Sequence, residues 1–110
     1  MKITVVKKMK ADGTLCRKSA NVIDDLNRLG LVDQIDEFVV AEEHEPTSQG
    51  IALALKHNVD AAPFFIVEEG DSTRVYTTYF LFLKEIFNQE VSEDDEIAEI
   101  MAQNPDLSFI

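Results

Sequence analysis

Cysteine is almost absent from this chain: Cys16 is the only one in 110 residues. A lone thiol excludes an internal disulfide, so no covalent staple helps to fold the protein, while pairing with another molecule stays open. Glycine and proline are scarce too, at four and three residues, and the chain is 45% hydrophobic. That balance suits one compact core without linker-rich stretches, and no repeat or low-complexity segment interrupts it. No apolar run approaches the roughly 18 residues that a membrane helix needs. The opening MKITVV has too little apolar length for a secretory signal. The expectation is a cytoplasmic protein with no membrane partner. Cations are the minority charge, ten against 21 acids, for a net charge of −11. A polyanion would be repelled by that surplus, so nucleic acid is not an expected partner.

The charge is unevenly spread. Residues 90–110 hold seven acids and no Lys or Arg. Six of the ten cations, Lys2, Lys7, Lys8, Lys10, Arg17 and Lys18, lie within the first 18 residues, beside the thiol.

Hydrophobic spacing divides the chain into alternating elements. Residues 3–7 are β-branched and strand-like, and a polar loop follows with Asp12-Gly13 as its turn signal. Residues 16–29 read as a helix, with Val22, Ile23, Leu26 and Leu29 at helical spacing and Gly30 as the stop. Residues 38–41 form a second strand, and Pro46-Thr47-Ser48 opens a helix over Gln49–His57. Residues 64–67 and 74–77 are strands joined by a turn at residues 69–72, short enough for an antiparallel hairpin. Thr78 is placed to cap a helix over residues 79–88. Ser92 with Asp95 forms a capping-box pattern for a last helix over residues 93–102. A β-α-β unit with the usual right-handed crossover gives parallel strands and the hairpin adds an antiparallel edge. The expected fold class is α/β: β-α-β-α-β-β-α, a four-stranded mixed sheet flanked by helices, plus an acidic C-terminal helix. The domain spans residues 1–89, and residues 90–110 are its acidic helical extension.

Three places in this order carry a resemblance to the thioredoxin-like superfamily, and to glutaredoxins in particular, over about residues 1–89. The first is Cys16-Arg17-Lys18-Ser19 between a strand and a helix that ends at Leu29-Gly30. The second is Val59-Asp60-Ala61-Ala62-Pro63 followed by the apolar Phe64–Val67 stretch, and the third is the hairpin followed by a helix. The resemblance implies that Pro63 is cis and faces Cys16. It also implies that the backbone of Ala62 pairs with an extended peptide or glutathione held against the thiol. The Gly-Gly and acidic pair with which glutaredoxins hold glutathione is replaced here by Tyr76-Thr77-Thr78-Tyr79-Phe80. Thr77 and Thr78 are the residues at that substrate-binding position.

A thiolate is the nucleophile of disulfide exchange, and the unpaired N–H groups at a helix N-terminus favour negative charge there. Cys16 is the candidate nucleophile, with Arg17 and Lys18 adding positive potential and Ser19 offering its O–H to the sulfur across one helical turn. C-x-x-S has no second sulfur, so a mixed disulfide must be resolved by an external thiol. The expected function is monothiol redox exchange, with a thiol or disulfide substrate, a protein included. Glutathione is the candidate small thiol, and no metal is expected. A second class stays open: a non-catalytic thioredoxin-like module that binds a protein through the groove beside Pro63 or through the acidic tail.

His44 in an acidic loop and His57 at a helix C-terminus read as solvated or structural. Phe64, Phe65, Phe80, Phe82 and Phe87 fall on core spacing. In the last helix Ile97, Ile100 and Met101 form a narrow apolar stripe, broken by Asn104-Pro105-Asp106 before an apolar end at residues 107–110. A helix this short needs a surface to cover, either its own chain, a second subunit in a homodimer or a basic partner.

Overall fold

A computed structural model describes the backbone of residues 1–103 and the side chains of residues 1–99. The expected Ile100, Met101 and 104–110 features lie outside the described side chains. Among the described residues the order is β1 (Lys2–Met9), α1 (Arg17–Arg28), a short 3-10 turn η1 (Val32–Gln34), β2 (Glu37–Glu42), α2 (Gln49–His57), β3 (Phe64–Glu69), β4 (Ser72–Tyr76), α3 (Tyr79–Phe87) and α4 (Glu93–Gln103). No helix among them is long and apolar enough to cross a membrane. The chain divides into two units, Met1–Thr77 and the residues from Thr78 onward.

The first unit holds the sheet, in the order β2-β1-β3-β4. β1 runs parallel to β2, Val6 opposite Val39, and antiparallel to β3, Val6 opposite Phe64. β3 and β4 are an antiparallel hairpin in which Glu69 pairs with Ser72. Two residues, Gly70-Asp71, therefore close the turn, and only Gly70, at φ +59°, is left-handed. Glycine at that first central position is what the turn requires, because its twist then matches that of the strands. The sheet is thus α/β and mixed, as the alternation of elements implies.

Alternation along the strands sends successive side chains to opposite faces. One face gathers the buried cluster Val6, Val39, Ala41, Phe64 and Ile66, against which Ile51, Leu53, Ala54 and Val59 of the α2 segment and Ala62 pack. Ile3, Val5, Phe65 and Val67 are buried in alternation with them. α2 approaches β2 closely because Gly50 offers no side chain where the two meet.

Several boundaries differ from the sequence expectation. β1 runs on to Met9, because β2 supplies pairing partners out to Glu42 that no property of the Lys7-Lys8-Met9 segment announces. α1 begins at Arg17, with Cys16 as its N-cap. Ser48 is the N-cap of α2, but its hydroxyl accepts from Glu42 N–H at 3.1 Å instead of capping its own helix.

The second unit is a helix pair. Thr78 is the N-cap residue of α3 yet makes no side-chain capping bond. The Glu99 carboxylate of α4 takes that role, accepting from the N–H groups of Tyr79 and, at 2.8 Å, Phe80. A carboxylate satisfies two of the unpaired amides that open a helix and suits the positive end of its dipole better than a hydroxyl. Lys84 of α3 pairs with Glu96 at 3.0 Å. Ser92 accepts from Asp95 N–H at 3.1 Å, the serine half of the capping box.

Candidate functional site

Cys16 stands where β1 hands over to α1. The intervening loop is a closed turn: Lys10 N–H donates to Thr14 C=O at 2.7 Å, Gly13 N–H to Lys10 C=O at 2.9 Å, and Met9 bridges Leu15. Gly13 adopts φ +85°, a region that disfavours any residue with a Cβ. The Asp12 carboxylate accepts from the Thr14 hydroxyl at 2.6 Å and the Thr14 amide at 2.9 Å. Those two bonds, the hydroxyl first, hold its carboxyl below the usual carboxylate range. The loop therefore delivers Cys16 from a fixed direction.

Position 16 is extended, at φ −65° and ψ 157°, as an N-cap residue should be. Its Sγ accepts from Ser19 N–H at 3.4 Å, so a sulfur does the capping that an oxygen usually does. Ser19 is fully buried. Its Oγ accepts from Lys8 N–H at 2.8 Å and lies 3.2 Å from the Cys16 Sγ. The neutral thiol donates weakly to that oxygen; with an ionised sulfur the bond reverses and the hydroxyl donates. Lys8 completes the arrangement, its C=O accepting from Cys16 N–H at 2.9 Å. The half-buried Cys16 sulfur thus meets two groups of one residue, accepting from the Ser19 amide and donating to the Ser19 hydroxyl, and Ser19 is itself held by the backbone of the adjoining strand.

Replacing Ser19 by alanine should leave the Lys8 N–H unpaired in the interior, at a cost of about 1–3 kcal/mol. Chemical denaturation would show it, and thiol labelling of the folded variant should be altered as well. A variant as stable as the parent would mean that water or another group serves Lys8.

The basic surroundings are narrower than the sequence implies. Lys2 lies at the opposite end of β1, where it pairs with Glu37 at 3.3 Å. Lys7 sits 5.7 Å above the Phe38 ring, and Lys10 pairs loosely with Asp12 at 3.9 Å. Alternation along β1 and the turn at residues 10–14 disperse cations that are close in sequence. Arg17 and Lys18 directly follow the thiol in the chain, and Lys8 meets Cys16 through its main chain. Arg17 and Lys18 are exposed in the first turn of α1, which contains no acid. Cations there oppose the helix dipole.

The Ala62-Pro63 bond is cis, as the resemblance implies, and both residues are half-buried. The strand register locates them. Val6 pairs with Phe64, so Pro63 lies just beyond the pair, at the sheet end where β1 leaves toward Cys16. Tyr76 pairs with Phe65, which brings the exposed Thr77 to that same end. Cys16, Ser19, Ala62, Pro63 and Thr77 thus collect at the sheet end that carries the carboxyl terminus of β1, the usual location of sites in open α/β sheets. Thr78 belongs to the second unit as the N-cap residue of α3.

One contributor is invisible in the sequence: Lys8 acts through its main chain, which side-chain type cannot signal. No grouping of His, Cys, Asp and Glu that could hold a metal ion occurs among the described residues. Comparison of the chain with protein-family models, with curated proteins and with solved structures finds no match.

Proposed function

We propose that the protein is a thioredoxin-like thiol–disulfide exchange protein that works through the single thiol of Cys16. The observation that carries this reading is the Cys16 sulfur at the N-terminus of α1, with the Ser19 amide and hydroxyl both turned to it. The element order, the sheet order β2-β1-β3-β4 and the cis bond before Pro63 are compatible with that class and add support.

The chemistry is nucleophilic displacement at sulfur. The Cys16 thiolate attacks one sulfur of a disulfide; a new S–S bond forms to Cys16 as the original one breaks, and the other sulfur departs as a thiolate. Ser19 donates its O–H and N–H to the attacking sulfur before the bond forms. Arg17 and Lys18, exposed directly after the thiol, favour an anionic substrate. The backbone at Ala62, before Pro63, is the edge against which an extended substrate lies. Because Ser19 has no sulfur, the mixed disulfide waits for a second molecule: an external thiol attacks it and releases Cys16 as thiolate, its own sulfur leaving in the new disulfide. Glutathione is the small thiol proposed for that step.

Incubation with oxidised glutathione should add one adduct per chain, at Cys16. Excess reductant should remove it without any internal crosslink, and Cys16→Ser should take up none. Mass spectrometry of intact protein reads each outcome. Should the parent stay unmodified under conditions that label a known monothiol protein, the exchange reading fails and a non-catalytic binding module replaces it.

A further inference from the structure

We propose that the open groove between α3 and α4 docks a cationic amphipathic peptide segment of a partner protein. The proposal is independent of the chemistry at Cys16. The groove has a volume of about 270 Å³ and is lined by Thr78, Leu81, Glu93, Glu96, Ile97 and Glu99. It is below the size usual for a cavity that encloses a small molecule, but it suits an anchoring side chain.

Two kinds of residue meet there. Leu81 from α3 and Ile97 from α4 are large apolar side chains left 37% and 51% exposed, on opposite walls of one groove. Apolar surface of this kind gains free energy when it is covered. The remaining charge is of one sign. α4 opens with Glu93, Asp94, Asp95 and Glu96 and has no base in its last turn. The single cation in the two helices is Lys84, which Glu96 already holds. The helix dipole explains why acids suit the first turn of α4. It does not explain two partly exposed hydrophobic side chains beside Glu93 and Glu96.

The walls are fixed in place from inside. Glu99 is committed to the Tyr79 and Phe80 amides and Glu96 to Lys84, while Glu93 is exposed and has no ion-pair partner among the described residues. The groove therefore presents two apolar walls with Glu93 as the uncommitted acid at its rim. An occupant must bring an apolar anchor and Lys or Arg beside it, as the apolar face of a basic amphipathic helix does. Nucleic acid is excluded by charge. A second copy is disfavoured too, since a net charge of −11 sets copies against each other.

The test uses the whole chain and a fluorescent peptide carrying Leu at helical i, i+4 spacing among lysines. A scrambled peptide of identical composition controls for charge. Ile97→Ser and Leu81→Ser should each weaken binding about tenfold, the factor that corresponds to 1.4 kcal/mol at 25 °C. Because both side chains are exposed, the variants should keep the circular dichroism of the parent. Glu93→Gln should weaken binding roughly threefold and flatten its salt dependence, the mark of a rim charge. Glu68→Gln, an exposed acid on β3, should change nothing. Equal affinity for the scrambled peptide, or full affinity in Ile97→Ser, would reduce the effect to bulk charge and overturn the proposal. So would a halving of solution mass in Ile97→Ser, since the groove would then be covered by a second copy.

Discussion

Gly50→Ala should destabilise the protein by at least about 3 kcal/mol, although alanine is the better helix former. Helix propensity alone favours alanine over glycine by about 1 kcal/mol inside a helix, so the two effects predict opposite signs. The deciding fact is steric. A Cβ built at Gly50 would lie 2.5 Å from the Val40 carbonyl carbon and 2.6 Å from the Ala41 Cα, and would press on the Ala41 nitrogen as well. All three are backbone atoms of β2, which cannot rotate away as a side-chain tip would. Relief requires α2 to back off the sheet, stripping contacts from Ile51, Leu53 and Ala54 against the core. Overpacking of even a flexible core costs about 1–3 kcal/mol, and a backbone clash belongs at or above the top of that range. In a domain of this length the melting temperature should fall by on the order of 15 °C. A melting temperature equal to or above that of the parent would show that α2 does not approach β2 this closely.

Truncation at Phe64 should cost still more. Phe64 is fully buried, pairs with Val6 in the central strands, and shares a cluster with Val39, Ala41 and Ile66. Phe64→Ala removes the ring's transfer free energy and leaves a cavity that β1 and β3 cannot close, because their hydrogen bonds fix their separation. The loss should be about 3–5 kcal/mol. Since small domains are stable by about 5–15 kcal/mol in all, much of that variant would be unfolded on warming. Phe64→Leu, which keeps most of the apolar volume, should cost only about 1.5 kcal/mol. Urea titration of both variants distinguishes the cavity account from loss of a particular aromatic contact: similar costs for the two would refute the cavity account.

How far the sequence reveals this structure depends on how local each cause is. α2 has the limits its apolar spacing and flanking Pro46-Thr47-Ser48 imply, because helix periodicity and start signals lie within the segment itself. The hairpin turn is legible for the same reason, in Gly70. Register is legible only in part: the extension of β1 to Met9 depends on what β2 presents, and η1 has no apolar period to announce it. At the site, the Cys16 and Ser19 pairing follows from a three-residue spacing and the position of a helix start. The dispersal of Lys2 and Lys7 does not, since it depends on which face and which end of β1 each lysine occupies. Thr78 shows the limit most plainly. Its residue type suits a cap, but the amides it would serve go to a carboxylate that tertiary structure brings from another helix.

The main chain of Lys8 gives the thiol an anchor that is indifferent to heredity. Its N–H holds Ser19 and its C=O holds Cys16, and neither bond asks anything of the lysine side chain. Nineteen of the twenty amino acids supply the same two groups; proline alone, lacking the N–H, does not. Selection can therefore rewrite the side chain at position 8 while the sulfur stays where it is.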